Sequence, residues 1–457
     1  MNFHRIYAIA TVTFRDAIRS RLLGSLVLFL MLGLVALPSL IQGDGSLPGR
    51  IQIIIRYALG FALFVLSVVT LWTACGGMAR EIEDRRFYLI ASKPIHRHEI
   101  WLGKWLATVV LNAGLLMLAG LTLSGMLAWT LHGSGSGSPA QDAEIRQLLL
   151  ARTTVPAQPG REDFEERVAQ ETKTILESGR APAGISAAEL THQMRRHLLR
   201  LEYSLAPQGS TALIFPLPHD RLPGREATLL LHSASSHPER RPFVIRWQLG
   251  RDGQAMSFQT TNYPAAPWQQ RIPASVLSAD ATLGITLRRG EDQDPATLIL
   301  APDGRTPELL VPVGEFGANL ARALLVMLCR LAFLAALGLT AGSLFSMPVA
   351  VFVSFFAIVL LASAGYVETV SHSGAFYVAH EGPQPGLTWL DAVVLRMFKG
   401  LNSVTEPVLK LDPVPLLAEG RLVSWAMTGR AVLFLGALYT GVIAALGTAL
   451  FRKRELG

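Results

Sequence analysis

Two apolar runs, Tyr57–Gly77 and Trp105–Leu131, each exceed the roughly 20 residues a helix needs to cross a hydrocarbon core. They constrain everything between them. The intervening stretch, Met78–Lys104, holds six basic and four acidic residues and is interrupted by Pro94. A segment that polar cannot lie in lipid, so it is expected to form a loop at one membrane face. Its Lys/Arg excess predicts the cytoplasmic face. Met78–Arg86 is expected to extend the preceding helix and Ile95–Lys104 to begin the next, with Pro94 breaking the chain between them. Ile82, Phe87, Tyr88, Leu89 and Ile90 give the loop an apolar side. That side suits the membrane interface or a groove in a partner; a solvated connector with ordinary positive-inside charge is the alternative.

The charge distribution supports a membrane reading. Half of the 457 residues are hydrophobic, and they cluster in spans. Between Gly133 and Phe316 there are 19 Lys+Arg and 21 Asp+Glu, whereas the remaining residues carry 22 and 13. The basic character therefore belongs to the apolar part, where it reads as topology and contact with anionic lipid. Nucleic-acid binding would require a basic soluble domain, and none is present. Cys75 and Cys329 both fall in apolar runs and are expected to be buried packing residues, and two cysteines are too few for a disulfide framework. Met1–Arg21 is too polar for a cleavable signal peptide.

Residues 1–21 are expected to form an amphipathic helix on the cytoplasmic surface, with Phe3, Tyr7, Ala10, Phe14 and Ile18 at helical spacing. The alternative is the first turns of the following span. Residues 22–131 are expected to hold three spans around the 78–104 loop. In the third, Gly114, Gly120, Ser124 and Gly125 favour close helix packing, with a substrate path near Asn112 as the lesser reading. The run HGSGSGSPA (132–140) is a flexible linker by composition. It opens an inserted α+β domain over 132–316. Residues 141–204 read as helical, with Ser186–Glu189 as a capping box and Leu190, Met194, Leu198 and Leu201 as the buried stripe. Residues 210–313 read as short strands at 212–215, 227–232, 242–249, 282–289, 297–301 and 308–313, favouring an antiparallel sandwich.

Parity places that domain outside the cytoplasm. Three further spans within 317–457, at Ala321–Leu344, Val349–Val367 and Arg430–Phe451, bring the expected transmembrane helices to six. An outer segment at 368–429 includes an amphipathic helix near Thr388–Lys399 and a proline-rich run from Pro407 to Pro415. The basic tail Arg452-Lys453-Arg454 then ends inside.

The loop carries Arg80-Glu81, Ser92-Lys93-Pro94-Ile95-His96-Arg97 and Leu102-Gly103-Lys104-Trp105; Phe14–Arg21 precedes the first span and Leu450–Leu456 closes the chain. In these membrane portions the sequence resembles type-2 ABC transporter permeases, in the group that includes the nitrous-oxide-reductase maturation transporter. The resemblance implies a multi-pass protein of the bacterial inner membrane, with both termini cytoplasmic, working as one of two permease copies or homologues. It implies that Arg80, Glu81, Glu83, Asp84, Arg85, Arg86, Lys93 and Arg97 form a coupling surface for a separate ATPase subunit, which would bind ATP and Mg. The large insert departs from the compact pattern and suggests a cargo, a periplasmic protein or glycan partner, or force transmission without a moving substrate. A membrane-anchored scaffold whose β domain recognises a glycan or protein partner, with no ATPase, is the alternative.

No GxxxxGK[ST] sequence occurs, so ATP has no phosphate cradle of the usual kind in this chain. His98-Glu99 lacks the second histidine of HExxH, and the eleven histidines form no metal-ligand spacing. A non-catalytic subunit without cofactor or metal is expected. Arg330 stands in the middle of an apolar run, where charge is penalised by a few kcal/mol. It is expected to contact an anion in a translocation path, to lie between two permease copies, or to bind backbone carbonyls.

Overall fold

The computed structural model describes residues 3–41, 47–84, 96–133, 145, 147–160, 163–178, 187–236, 242–249, 256–263, 268–277, 282–290, 297–302, 306–362 and 411–453. The chain divides into two units: Met1–Leu149 with Phe316–Gly457, and Leu150–Glu315.

The first unit is helical. α1 (Phe3–Arg19) ends where Ser20 caps α2 (Arg21–Leu40), its hydroxyl accepting from Leu23 N at 3.3 Å. α3 (Leu47–Glu83) and α4 (Arg97–Gly133) have 37 residues each. Each is therefore about 55 Å long, against a hydrocarbon core of about 30 Å, so both project well past it. After the second unit come α8 (Phe316–Leu344) and α9 (Met347–Ala362). α10 (Pro413–Ala418) and α11 (Trp425–Ala431) follow, and the latter runs through a π-helical stretch (Val432–Tyr439) into α12 (Thr440–Lys453). Among the described residues, five helices are long and apolar enough to cross a membrane: Leu23–Leu40, Leu47–Glu83, Arg97–His132, Phe316–Leu344 and Trp425–Leu450. The expected span at 349–367 is seen only as α9, since residues 363–410 lie outside the described part, as does the expected helix near Thr388–Lys399.

α8 is the central post of this unit. Small residues let it approach α3 closely: a Cβ on Gly338 would fall 2.8 Å from Ala74 Cβ, and one on Gly342 would fall 2.5 Å from Cys75 O. The same principle seats α2 on α3, where Gly33 faces the Phe61 ring. Toward its start, α8 binds the segment before α11. Asn319 donates to Arg421 O and accepts from Val423 N, both at 2.8 Å, and Arg322 lies over the Trp425 ring at 5.1 Å.

The second unit contains three antiparallel sheets among its described residues. One has the order β1 (Leu150–Pro156), β11 (Glu308–Glu315), β4 (Ala227–Leu231), β8 (Trp268–Ile272). Another has β3 (Ser210–Pro216), β9 (Thr282–Arg289), β6 (Phe243–Leu249), β7 (Met256–Asn262). A small third sheet joins β2 (Ser204–Leu205), β10 (Leu298–Ile299) and β5 (Ala234–Ser235). The helices α5 (Phe164–Glu177) and α6 (Ala187–Glu202) pair through Arg195 and Glu165, and the short α7 spans Ala274–Leu277. Alternation in β6 buries Phe243, Ile245, Trp247 and Leu249. Trp247 meets Trp268 of the other large sheet edge-on at 5.9 Å. Tyr203 is fully buried, and its hydroxyl donates to Ala157 O at 3.1 Å.

Two expectations differ from this structure. Residues 150–156, within the stretch read as helical (141–204), form strand β1, because seven residues pair along β11 with a bulge at Ala151/Arg152. In α6, Leu190 and Leu198 are buried and Met194 packs on the core, whereas Leu201 is 56% exposed and Leu199 is buried in its place. Leu198 and Leu199 adjoin on the helix, and the core takes both as the helix ends.

Candidate functional site

The loop expected to matter for function is framed by the last turns of α3 and the first turns of α4. α3 closes at Asp84, whose amide donates to Arg80 O at 2.8 Å. α4 opens with a reciprocal cap. His96 N donates to Glu99 Oε2 at 3.2 Å, and Glu99 N donates to His96 O at 2.9 Å. Glu99 is 1% exposed and also lies 3.8 Å from Arg5 Nη1 of α1. One carboxylate thus fixes the start of α4 and ties it to α1.

Behind the cap the two helix ends are joined by charge. Lys104 Nζ lies 2.5 Å from Glu81 Oε1 and donates to Gly77 O at 2.8 Å. Lys104 is 4% exposed, so its ammonium has exchanged water for these oxygens. Next to it, Gly103 admits α1: a Cβ there would fall 2.7 Å from Ile9 Cγ2 and 3.0 Å from Ile6 O. Ile6 and Ala10 are the buried positions of α1, while Phe3, Tyr7 and Ile18 are exposed. α1 therefore uses one apolar face on α4 and turns another outward.

The other side of α3 grips the turn between α8 and α9. Arg80 Nε donates to Met347 Sδ at 3.1 Å, and Glu83 Oε1 accepts from Met347 N at 3.3 Å. Trp105 Nε1 donates to Ala332 O at 2.9 Å, linking α4 to α8. A cluster of Ala74, Met78, Ile100, Trp101, Ala336 and Leu339 fills the space among these elements.

No protein-family model matches the chain, and no curated protein matches it. The functional reading therefore rests on the residues and this geometry.

Of the eight residues expected on a coupling surface, Arg80, Glu81, Glu83, Asp84 and Arg97 are described. Arg85, Arg86 and Lys93 lie outside the described residues. Glu81 turns inward to Lys104, whereas Arg80, Glu83 and Asp84 are exposed. Lys104, Glu99 and Arg5 are not among the residues expected on the coupling surface. The 23-residue gap from Glu81 to Lys104 carries no periodic signal, since only the antiparallel return of the chain brings them together.

Asn112 is 4% exposed, and its Oδ1 accepts from Thr70 Oγ1 at 3.0 Å while its Nδ2 has no partner among the described residues. It lines a mostly apolar cavity of about 240 Å³ among α1, α2, α3 and α4. Arg330 sits at the midpoint of α8, half-buried, with no hydrogen bond or ion pair among the described residues. Among the described residues no group of three or more His, Cys, Asp or Glu is arranged to hold a metal ion.

Proposed function

We propose that this chain is the membrane subunit of an ATP-driven complex of the type-2 ABC exporter class, with nucleotide hydrolysis carried by a separate polypeptide. The observation that carries this reading is the base of the helical unit. There α1, α3, α4 and the α8–α9 turn are bound to one another by Glu99–Arg5, Glu81–Lys104 and the two contacts to Met347. A push on the segment between Asp84 and His96 reaches all four at once. The close-packed cluster around Met78 and Trp101 lies among the same elements, and dense packing transmits strain between them.

In this reading the helical unit has six spans, with α9 the start of the fifth, and both termini and the 84–96 segment lie in the cytoplasm of a bacterium. The inserted unit is then a β-sandwich with two helices on the far side of the inner membrane. Two copies, or this chain and a homologue, assemble around a central path, and the half-buried Arg330 faces either that path or the partner copy. ATP closes the hydrolysing subunits, and the loop passes the motion to α3 and α4.

The test is gentle purification of the tagged chain from its native host. An ATPase with a GxxxxGK[ST] sequence is expected to co-purify in stoichiometric amount and to be lost in the variant Glu83→Lys/Asp84→Lys. A complex that hydrolyses no nucleotide would instead favour the ATPase-free scaffold.

A further inference from the structure

The sheet β3-β9-β6-β7 has one face in the core and one outside. On the outer face Arg246 of β6 stands directly opposite Arg288 of β9. Cross-strand partners on one face lie about 5 Å apart at Cβ, and like charges there repel. Both arginines are exposed, and neither has an ion pair or hydrogen bond among the described residues. None of the four strands contains an Asp or Glu. The pair therefore has no internal counter-charge on its own sheet.

A second peculiarity lies beside it. Gln208 has φ 59°, the one non-glycine residue with positive φ among the described residues. The turn that holds it is fixed by Gly209 N donating to Ala206 O at 2.9 Å and Arg289 N donating to Gly209 O at 3.0 Å. A non-glycine residue kept in that region is disfavoured, and such residues recur at ligand clamps. Gln208, Ser210, Gln248 and Thr286 share with the two arginines a recess of about 490 Å³.

We infer that this recess is a binding site for an acidic saccharide. Two guanidiniums side by side present forked donors that match a carboxylate or sulfate in bidentate fashion. The amides and hydroxyls around them suit a ligand rich in hydroxyl groups. A bound anion between Arg246 and Arg288 also removes the repulsion that the empty sheet carries. This inference stands on the inserted unit alone and holds whether or not an ATPase docks on the helical unit.

Calorimetric titration of the full-length protein in detergent micelles tests it, with oligogalacturonate, a sulfated dextran fragment, methyl-esterified oligogalacturonate and polyglutamate as probes. Saturable binding of oligogalacturonate or sulfated dextran is expected, and which of the two is tighter tells carboxylate from sulfate. The neutral ester should bind at least about ten-fold more weakly, and Arg246→Gln or Arg288→Gln should each weaken binding roughly ten-fold. Arg225→Gln, which removes an exposed arginine outside the recess, should leave it unchanged. The site assignment is overturned if neither acidic saccharide binds, if the ester binds equally well, or if the double variant Arg246→Gln/Arg288→Gln retains full affinity; its loss of binding is expected with an unchanged melting temperature. Polyglutamate binding as tightly as the saccharides overturns the ligand class.

Discussion

Lys104 and Glu81 form a pair in which losing either partner is costly. The ammonium is almost wholly buried, and although about a third of the Glu81 side chain is exposed, its Oε2 is buried with no hydrogen-bond partner among the described residues. Removing one partner of a buried pair costs about 3 kcal/mol or more. A melting series in detergent is expected to show Glu81→Leu and Lys104→Met each lowering the melting temperature, with the double variant recovering much of the loss. Additive losses would contradict the pairing. Tyr203 gives a pH dependence in the inserted unit. Burial raises its phenol above the usual tyrosine range, and the neighbouring Glu202 raises it further. The folded pKa exceeds the unfolded one, so this stabilisation is complete below about pH 10 and is lost as pH rises toward the folded value. Tyr203→Phe should lower the melting temperature at neutral pH, by leaving Ala157 O without its donor at a cost of about 1–2 kcal/mol. It should also flatten the alkaline decline seen by circular dichroism; an unchanged decline would place its origin elsewhere.

At the scale of elements, what the sequence made legible followed from period. β6 alternates strictly, and its residues 243–249 fall within the expected 242–249. The apolar runs on either side of the loop became α3 and α4, and Met78–Glu83 extends the first of them. β1 and β7 were not legible. β1 carries a buried arginine and ends in proline, and β7, MSFQTTN, is an edge strand whose residues are all at least partly exposed. Neither shows the apolar alternation that burial on one face imprints. The π-helical stretch Val432–Tyr439 likewise has no marker in its residues. For the candidate site, the loop's position was readable from charge, but the links behind it arise between helices far apart in sequence. Gly103 is the clearest case: among several glycines in α4, only contact with Ile6 and Ile9 shows what it does. Gly103→Leu should drive α1 off α4 and destabilise the protein by about 1–3 kcal/mol. Spin labels on α1 and α4 would then report an increased separation, and an unaltered distance would remove α1 from the base.

For the whole molecule, the two units call for different logic. The inserted unit has its own aromatic core and an outer arginine pair that asks for an anion. The helical unit has polar bonds near the loop and around Asn319, and its helices close on one another where glycine and alanine meet. That distribution suits a body moved from one end. The most direct measurement is photo-crosslinking in native cells from a benzoylphenylalanine placed at Arg86, with the adduct identified by mass spectrometry. The predicted product is a covalent adduct with a polypeptide that carries a GxxxxGK[ST] sequence and hydrolyses ATP. Adducts only with lipid, or with proteins that bind no nucleotide, would contradict the proposal that work enters through this loop.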